Sequence, residues 1–374
     1  MALTAATPAL LSEAASLEIC APPQFHLGYR PCLDGFRAVA ILAVMGFHLT
    51  LPGMRGGSIG VDLFFVLSGF LITSLLLEEW RQTQSIDLKH FYIRRGLRLL
   101  PALLVLLCII ELYAGLLLNP AQATAARGDV VASLFYSANW LRALRGPQSM
   151  GELLSHTWSL SVEEQFYVLW PPLLFILLRS GIKRAHLAGL LAMLAAAVAL
   201  RRAVMWEEMV PWHRIYNGLD TRFDSLLTGC AAAALASLGV LNNRQMRYIL
   251  TFLCFPAGLF VGVAIVSRFS DAAFCRWGWP ALEISCGIIL LRIVGSGKSA
   301  VRRILELPVL VWIGRLSYSL YLWHAVVFSW AERLHVRWRW QCLGGLVVAF
   351  GCAAASFYLV ETPFLKLKRR FQAA

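Results

Sequence analysis

Charge is scarce in this chain. Asp, Glu, Lys and Arg make up only 15% of its 374 residues, where a soluble domain of similar size carries about a quarter. Paired cysteine motifs are missing as well. The nine cysteines, Cys20, Cys32, Cys108, Cys230, Cys254, Cys275, Cys286, Cys342 and Cys352, are scattered and include no CxxC pair. That pattern excludes a disulfide framework and a zinc knuckle, and leaves them as packing residues. The eight histidines include no HxxxH pair, so no metal site is expected. A signal peptide is also lacking. The N-terminus has no basic segment, and Pro8, Glu13, Glu18, Pro22 and Pro23 interrupt its apolar stretch. Residues 1–30 read as a short, mostly irregular cytoplasmic tail.

What the chain has instead is apolar length. Hydrophobic residues make up 59% of it and the mean hydropathy is +0.65. The surplus falls in runs near the roughly 20 residues that span a bilayer core. About ten spans are expected, near 34–52, 60–79, 99–118, 157–178, 186–205, 219–239, 248–267, 278–295, 309–330 and 340–360. The fold class is therefore all-α and polytopic, with one transmembrane domain over 31–365 and a basic tail over 366–374. The 186–205 run ends on Arg201 and Arg202, and the 219–239 run begins among charges. The net charge of +13 would suit nucleic acid in a soluble protein. Here the basic residues sit between apolar runs, so membrane lipid is the expected partner and nucleic acid is not. Lys and Arg gather in alternate loops, which places both termini in the cytoplasm. The longest far-side loop, 119–155, holds an expected amphipathic helix over 129–144.

Ionisable residues inside spans are costly and mark candidate sites. The first run carries Asp34, Arg37 and His48. Arg37 and His48 lie on one helix face, roughly 16 Å apart along the axis, and Asp34 can pair with Arg37 at i, i+3. The second run opens Gly60-Val61-Asp62 and continues through Ser68-Gly69. Asp62 enters at the depth of His48, so it is a candidate orienter of that imidazole or its simple hydrogen-bond partner. The fourth run opens at His156 and carries Glu163 and Glu164, of which at least one must face the protein interior. An arginine on another helix, for instance Arg222, is a structural alternative for their charge. The ninth run carries Arg315, Tyr318 and His324, and the tenth ends Glu361-Thr362-Pro363, where proline reads as a stop. Before the third run, Phe91, Tyr92, Arg94, Arg95 and Arg98 form a basic and aromatic cluster. Guanidinium forks bind phosphate bidentately and aromatics stack a base; lipid headgroups and topology are the alternative use.

These blocks together resemble the acyltransferase-3 family of bacterial membrane O-acyltransferases, which modify O-antigens, exopolysaccharides, nodulation factors and some macrolides. The resemblance runs from Tyr29 to about Leu365. It rests on Tyr29 to Ala38, the Arg37–His48 spacing, Gly60 to Thr73, Phe91 to Pro101, His156 to Tyr167, Gly314 to His324, and Glu361 to Pro363. Phe36 and Ala102 depart from the family pattern without touching a polar position, and no further domain is expected after the last span.

The resemblance implies a multi-pass protein of the bacterial inner membrane that takes an acyl group, by default acetyl, from cytoplasmic acyl-CoA. No cofactor is expected to be tightly bound. The acceptor is a hydroxyl of a carbohydrate or glycolipid on the far side, with a small molecule such as a macrolide as the alternative. A second copy of the chain is an open partner. His48 is the candidate general base, oriented by Asp62 or Glu164, with Arg37 at the oxyanion or on the donor arm. An acyl-histidine relay is the other chemistry open to it. Arg94, Arg95, Arg98, Tyr92 and Ser68 are the candidate donor-binding residues. Asp34, His156, Glu163, Tyr318, His324 and Glu361 complete the candidate set. A transporter without acyl transfer is the reading from another class.

Overall fold

Backbone groups in a hydrocarbon layer must pair within their own segment, so the apolar runs fold as helices. The computed structural model describes residues 25–267, 271–295, 299–333 and 337–371. Most of the expected N-terminal tail, residues 1–24, lies outside the described residues. In chain order the main helices are α1 Pro31–His48, α2 Gly60–Thr83, α3 Leu88–Leu117, α4 Pro120–Leu134, α5 Ala138–Arg145, α6 Thr157–Arg179 and α7 Arg184–Glu207. They continue with α8 Leu219–Ser237, α9 Arg244–Val266, α10 Trp279–Val294, α11 Pro308–Arg333, α12 Trp338–Ala355 and α13 Thr362–Lys368. Among the described residues there is no strand.

Seven segments are long and apolar enough to cross a membrane: α1, α2, α3, α7, α9, α10 with its preceding turns, and α12 continued through α13. Helices α6, α8 and α11 are of similar length, 23, 19 and 26 residues. Their hydropathy is diluted by polar residues that are buried within the bundle, such as Ser161, Arg222, Asp224, Ser319 and His324. The described residues thus give the ten expected crossings. Helix α2 is central, with 83% of its apolar window buried, whereas α7 and α12 bury 22% of theirs and present the rest outward.

Local signals set the boundaries. Pro31 and Pro120 stand in the first turns of α1 and α4, where a missing N–H costs nothing. Asp87 caps α3 by accepting from the His90 N–H at 3.0 Å. That cap starts the third span eleven residues earlier than the apolar run alone suggests, and carries the arginine cluster into the helix. At the other end Pro363 does not stop the chain. A π turn over Ser356–Glu361 precedes it, the Thr362 hydroxyl donates to the Phe357 carbonyl at 2.8 Å, and the helix resumes as α13. The helix expected over 129–144 is two helices, α4 and α5. They break at Tyr136, whose φ of 51° no regular helix tolerates.

Close packing needs glycine at one crossing. A Cβ on Gly69 of α2 would stand 2.0 Å from the Leu226 carbonyl oxygen of α8. One on Gly229 would stand 2.0 Å from that of Val66. The two backbones therefore meet directly, as small residues allow between membrane helices.

That contact closes over a buried charge cluster. Asp62 of α2 accepts from Arg222 of α8, from the Ser225 hydroxyl at 3.4 Å and from the Trp279 indole at 3.4 Å. Arg202 of α7 pairs with Asp224 at 2.5 Å, and Ser225 donates to Glu283 of α10 at 2.8 Å. Trp279 lies 4.4 Å from the Arg222 guanidinium and 4.7 Å from that of Arg202, so cation–π attraction adds to the ion pairs. This explains the charges at the ends of the fifth and sixth runs: they answer each other, Arg202 with Asp224 and Arg201 with Asp220.

On the loop between α3 and α6, Asp129 is buried and accepts the Gly151 N–H at 2.7 Å. Burial pushes its carboxyl up to about 6. Its folded value exceeds the unfolded one, so it stabilises the loop below the usual carboxylate range. That contribution is lost as pH rises through about 6. Asp129→Asn keeps an acceptor for Gly151 but cannot titrate. It is expected to flatten the dependence of Tm on pH between pH 4 and 7. An unchanged slope in thermal unfolding would assign the titration elsewhere.

Both described chain ends meet at one end of the bundle, the terminal end. His26 pairs with Glu78 near the end of α2, and Arg94 near the start of α3 donates to the Phe371 carbonyl at 3.0 Å. The opposite, distal end carries His48, the start of α2 and the α4–α5 loop.

Candidate active site

A cavity of about 680 Å³ enters the bundle among α2, α3, α6 and α11. Its lining follows α2 from Gln82 to Val61, roughly 30 Å at the helical rise. Basic groups surround its terminal end: Arg94, Arg95, Arg98, Arg37 and Lys368. The start of α3 at Leu88 explains the first three. Residues 91, 94, 95 and 98 fall at i, i+3, i+4 and i+7 on one helix face, and that face lines the cavity. Tyr92 is turned about 100° away. Its hydroxyl donates to the Val168 carbonyl at 2.9 Å outside the cavity, so the aromatic beside the arginines is Phe91 and not Tyr92. Arg95 lies 3.5 Å over the Tyr167 ring. Arg94 is held by the Phe371 carbonyl and, at 3.8 Å, by Glu79. Arg98 and Lys368 make no ion pair or hydrogen bond among the described residues, which leaves their charge to the cavity.

Farther in, the lining becomes a mixture of hydroxyls and apolar groups. Ser68 bonds the Tyr167 hydroxyl, which donates to Glu163. Tyr318 donates to the Leu99 carbonyl at 2.8 Å. Of the paired glutamates only Glu163 lines the cavity; Glu164 does not, and its buried Oε1 has no protein partner. Glu361 is buried beside the cavity wall and takes the Ser319 hydroxyl, so it is no interface charge. Arg37 pairs with Asp34 at 2.9 Å, as the i, i+3 spacing requires. Arg37 opens on the cavity and stands roughly 16 Å along α1 from His48. The donor arm, not an oxyanion at His48, is the role its place permits.

At the inner end stand Phe64, Ser159 and Tyr321. Behind Tyr321 three histidines, dispersed in sequence, come together. The His324 ring is 5.5 Å from those of Tyr321 and His156 and 5.0 Å from that of His48. His48 is exposed at the distal end, while His156 and His324 are buried. Neither carboxylate expected to orient His48 does so. Asp62 is engaged by Arg222, and Glu164 belongs to the Arg95 neighbourhood. The orienting group is the helix itself: His48 Nδ1 meets the Val44 carbonyl one turn back at 2.9 Å. A carbonyl can only accept, so Nδ1 carries the proton and Nε2 holds the lone pair. His324 is fixed likewise, its Nδ1–H meeting the Tyr321 and Leu320 carbonyls at 2.8 and 3.1 Å. His324 Nε2 and both His156 nitrogens are buried without a well-formed hydrogen bond, a cost of about 1–3 kcal/mol each. Among the described residues no group of three or more His, Cys, Asp or Glu side chains is arranged to hold a metal ion.

Lys368, Tyr167, Ser159, Phe64 and Tyr321 were not singled out by the sequence. Tyr321 alone offered a signal, three residues before His324 on the same helix face.

A family profile described as "Acyltransferase domain" matches residues 30–360. The peptidoglycan O-acetyltransferase OatA of Listeria monocytogenes is 33% identical over 358 residues, covering 90% of this chain and 56% of that protein. A Staphylococcus aureus protein provisionally designated an O-acetyltransferase is 35% identical over 351 residues, covering 90% and 58%. YrhL of Bacillus subtilis, provisionally designated a peptidoglycan O-acetyltransferase, is 32% identical over 353 residues, covering 90% and 55%. The chain thus spans somewhat over half the length of these relatives. No solved structure matches it.

Proposed function

The chain belongs to the acyltransferase-domain family matched over residues 30–360, and from that premise we propose that it is a membrane O-acetyltransferase. It takes the acetyl group of acetyl-CoA at the terminal end and delivers it to a carbohydrate hydroxyl at the distal end. The observation that carries this reading is the cavity itself. It is basic where it opens, nearly as deep as a bilayer core, and closed by the ring beside the histidines.

The chemistry follows from the residues. Arg94, Arg95, Arg98 and Lys368 hold the CoA phosphates by charge-assisted hydrogen bonds. Arg37 and Ser68 steady the pantetheine arm, and the thioester arrives near Ser159 and Tyr321. The acceptor hydroxyl enters from the distal end and gives its proton to His48 Nε2 as its oxygen attacks the thioester carbonyl. The tetrahedral adduct expels the CoA thiolate, and His48 returns the proton to that sulfur. One C–S bond breaks, one C–O bond forms, and no redox step is needed.

Acetyl-CoA is made in the cytoplasm, so this reading puts the terminal end there and the protein in the bacterial cytoplasmic membrane. The greater share of Lys and Arg at that end agrees. The names of the relatives favour a cell-wall glycan as the acceptor.

Arg98 tests the donor site. Arg98→Gln removes one charge-assisted contact, worth about 1.5–3 kcal/mol, and is expected to raise KM for acetyl-CoA roughly 10–100-fold with a smaller change in kcat. Steady-state transfer in membranes with matched protein amounts measures it. An unchanged KM would remove Arg98 from the donor site.

A further inference from the structure

We infer that Tyr321 is the residue that limits the length of the acyl chain the protein transfers, and that it restricts the donor to short acyl groups. The inference rests on the acyl-CoA reading above and deepens it.

The cavity changes character along its length. Charged side chains dominate the terminal end, whereas Val61, Phe64, Phe65 and Leu160 crowd the inner end around Tyr321. That end is where a thioester arriving from the basic mouth places its acyl carbons. The Tyr321 ring stands across the way forward: it faces Phe64 at 6.4 Å on the cavity side and the His156 and His324 rings at 5.5 Å each behind it.

The ring is also held in place. Its hydroxyl donates to the His156 carbonyl at 2.8 Å and contacts the Ser159 hydroxyl, which itself reaches that carbonyl at 3.3 Å. These partners belong to the start of α6, while Tyr321 belongs to α11. The phenol is therefore a strut between two helices, and a side chain with two rotatable bonds anchored at its far end does not swing aside freely. Histidines behind it and an apolar pocket before it leave room for few carbons beyond the carbonyl. A longer chain must displace either the ring or its anchor. The partition acts as a ruler, so Tyr321 is a specificity-determining residue.

The experiment mixes acetyl-, propionyl-, butyryl- and hexanoyl-CoA donors with membranes carrying wild type, Tyr321→Ala or Phe64→Ala. Relative kcat/KM values come from competition within one preparation, so a variant that folds in lower yield reports the same ratio. One methylene too many in an apolar pocket typically changes kcat/KM roughly 10–200-fold. Wild type is expected to favour acetyl over butyryl by at least that factor. Tyr321→Ala is expected to raise the butyryl-to-acetyl ratio 10-fold or more, and Phe64→Ala to raise it less.

Wild type that uses hexanoyl-CoA as well as acetyl-CoA overturns the inference while leaving the acyl-CoA reading intact. So does acetyl transfer with a ratio unchanged in both variants. If Tyr321→Ala is inactive with every donor, Tyr321→Leu is read in the same way beside Phe64→Ala, and a ratio raised by neither overturns the inference. Wild type that accepts no acyl-CoA at all brings down the donor reading and this inference together.

Discussion

His48→Ala is expected to lower acyl transfer by about 10²–10⁴-fold, the range that a positioned general base contributes, and to leave the protein folded in the membrane. Two features separate this from an ordinary loss of packing. The side chain is exposed at the distal end, so truncation opens no internal cavity. Its one hydrogen bond goes to the Val44 carbonyl of its own helix, so no partner helix loses a contact. What is lost is the Nε2 lone pair. His48→Gln tests the point more finely, since an amide can hydrogen-bond but cannot accept a proton at neutral pH. It should be nearly as inactive as alanine. Transfer rates and protein levels measured in the same vesicles check both. Near-normal transfer by either variant would move the base to His324 or His156, whose nitrogens lie behind the Tyr321 ring.

Asp62→Ala is expected to fail by the other route, through stability. The carboxylate is buried and answers Arg222, Ser225 and the Trp279 indole. Removing it leaves the Arg222 guanidinium buried and unpaired, and breaking such a pair from one side costs about 3–5 kcal/mol. The amount of folded protein and its Tm should both fall. Replacing both partners by apolar residues removes the stranded charge, so Asp62→Leu combined with Arg222→Leu should recover part of the loss. Had Asp62 served as the orienter of His48, the outcome would differ: a stable protein at wild-type levels with little activity. Thermal unfolding in detergent, set beside transfer activity per folded molecule, distinguishes the two.

The contrast between these two residues shows what could be read from the chain. Asp34 with Arg37 is a local pair, fixed by helical spacing, and it was legible. The spans were legible too, because length and hydropathy are properties of single segments. The face of α3 that lines the cavity could have been read once the Asp87 cap was recognised. The apolar run suggested a later start, and Tyr92 was therefore placed with Arg94, Arg95 and Arg98 although a quarter turn divides them. Partners across helices were not legible. Asp62 and Arg222 are 160 residues apart, and they meet only because Gly69 and Gly229 let α2 and α8 touch. His48, His156 and His324 come from three helices, and nothing in their spacing announces that their rings converge. Matching depth in the bilayer made Asp62 a fair candidate for His48. Depth alone does not choose among neighbouring helices, and the buried guanidinium claimed the carboxylate.

The central claim is that donor and acceptor reach the protein from opposite ends of the bundle and meet at its histidines. Reconstitution into liposomes tests it most directly. Vesicles are sorted by whether the chain ends face out or in, a glycan acceptor is enclosed in the lumen, and labelled acetyl-CoA is added outside. The account predicts labelled acceptor only where the chain ends face outward, and none with His48→Ala in the same orientation. Equal labelling in both orientations, or labelling that needs donor and acceptor on the same side, would contradict it.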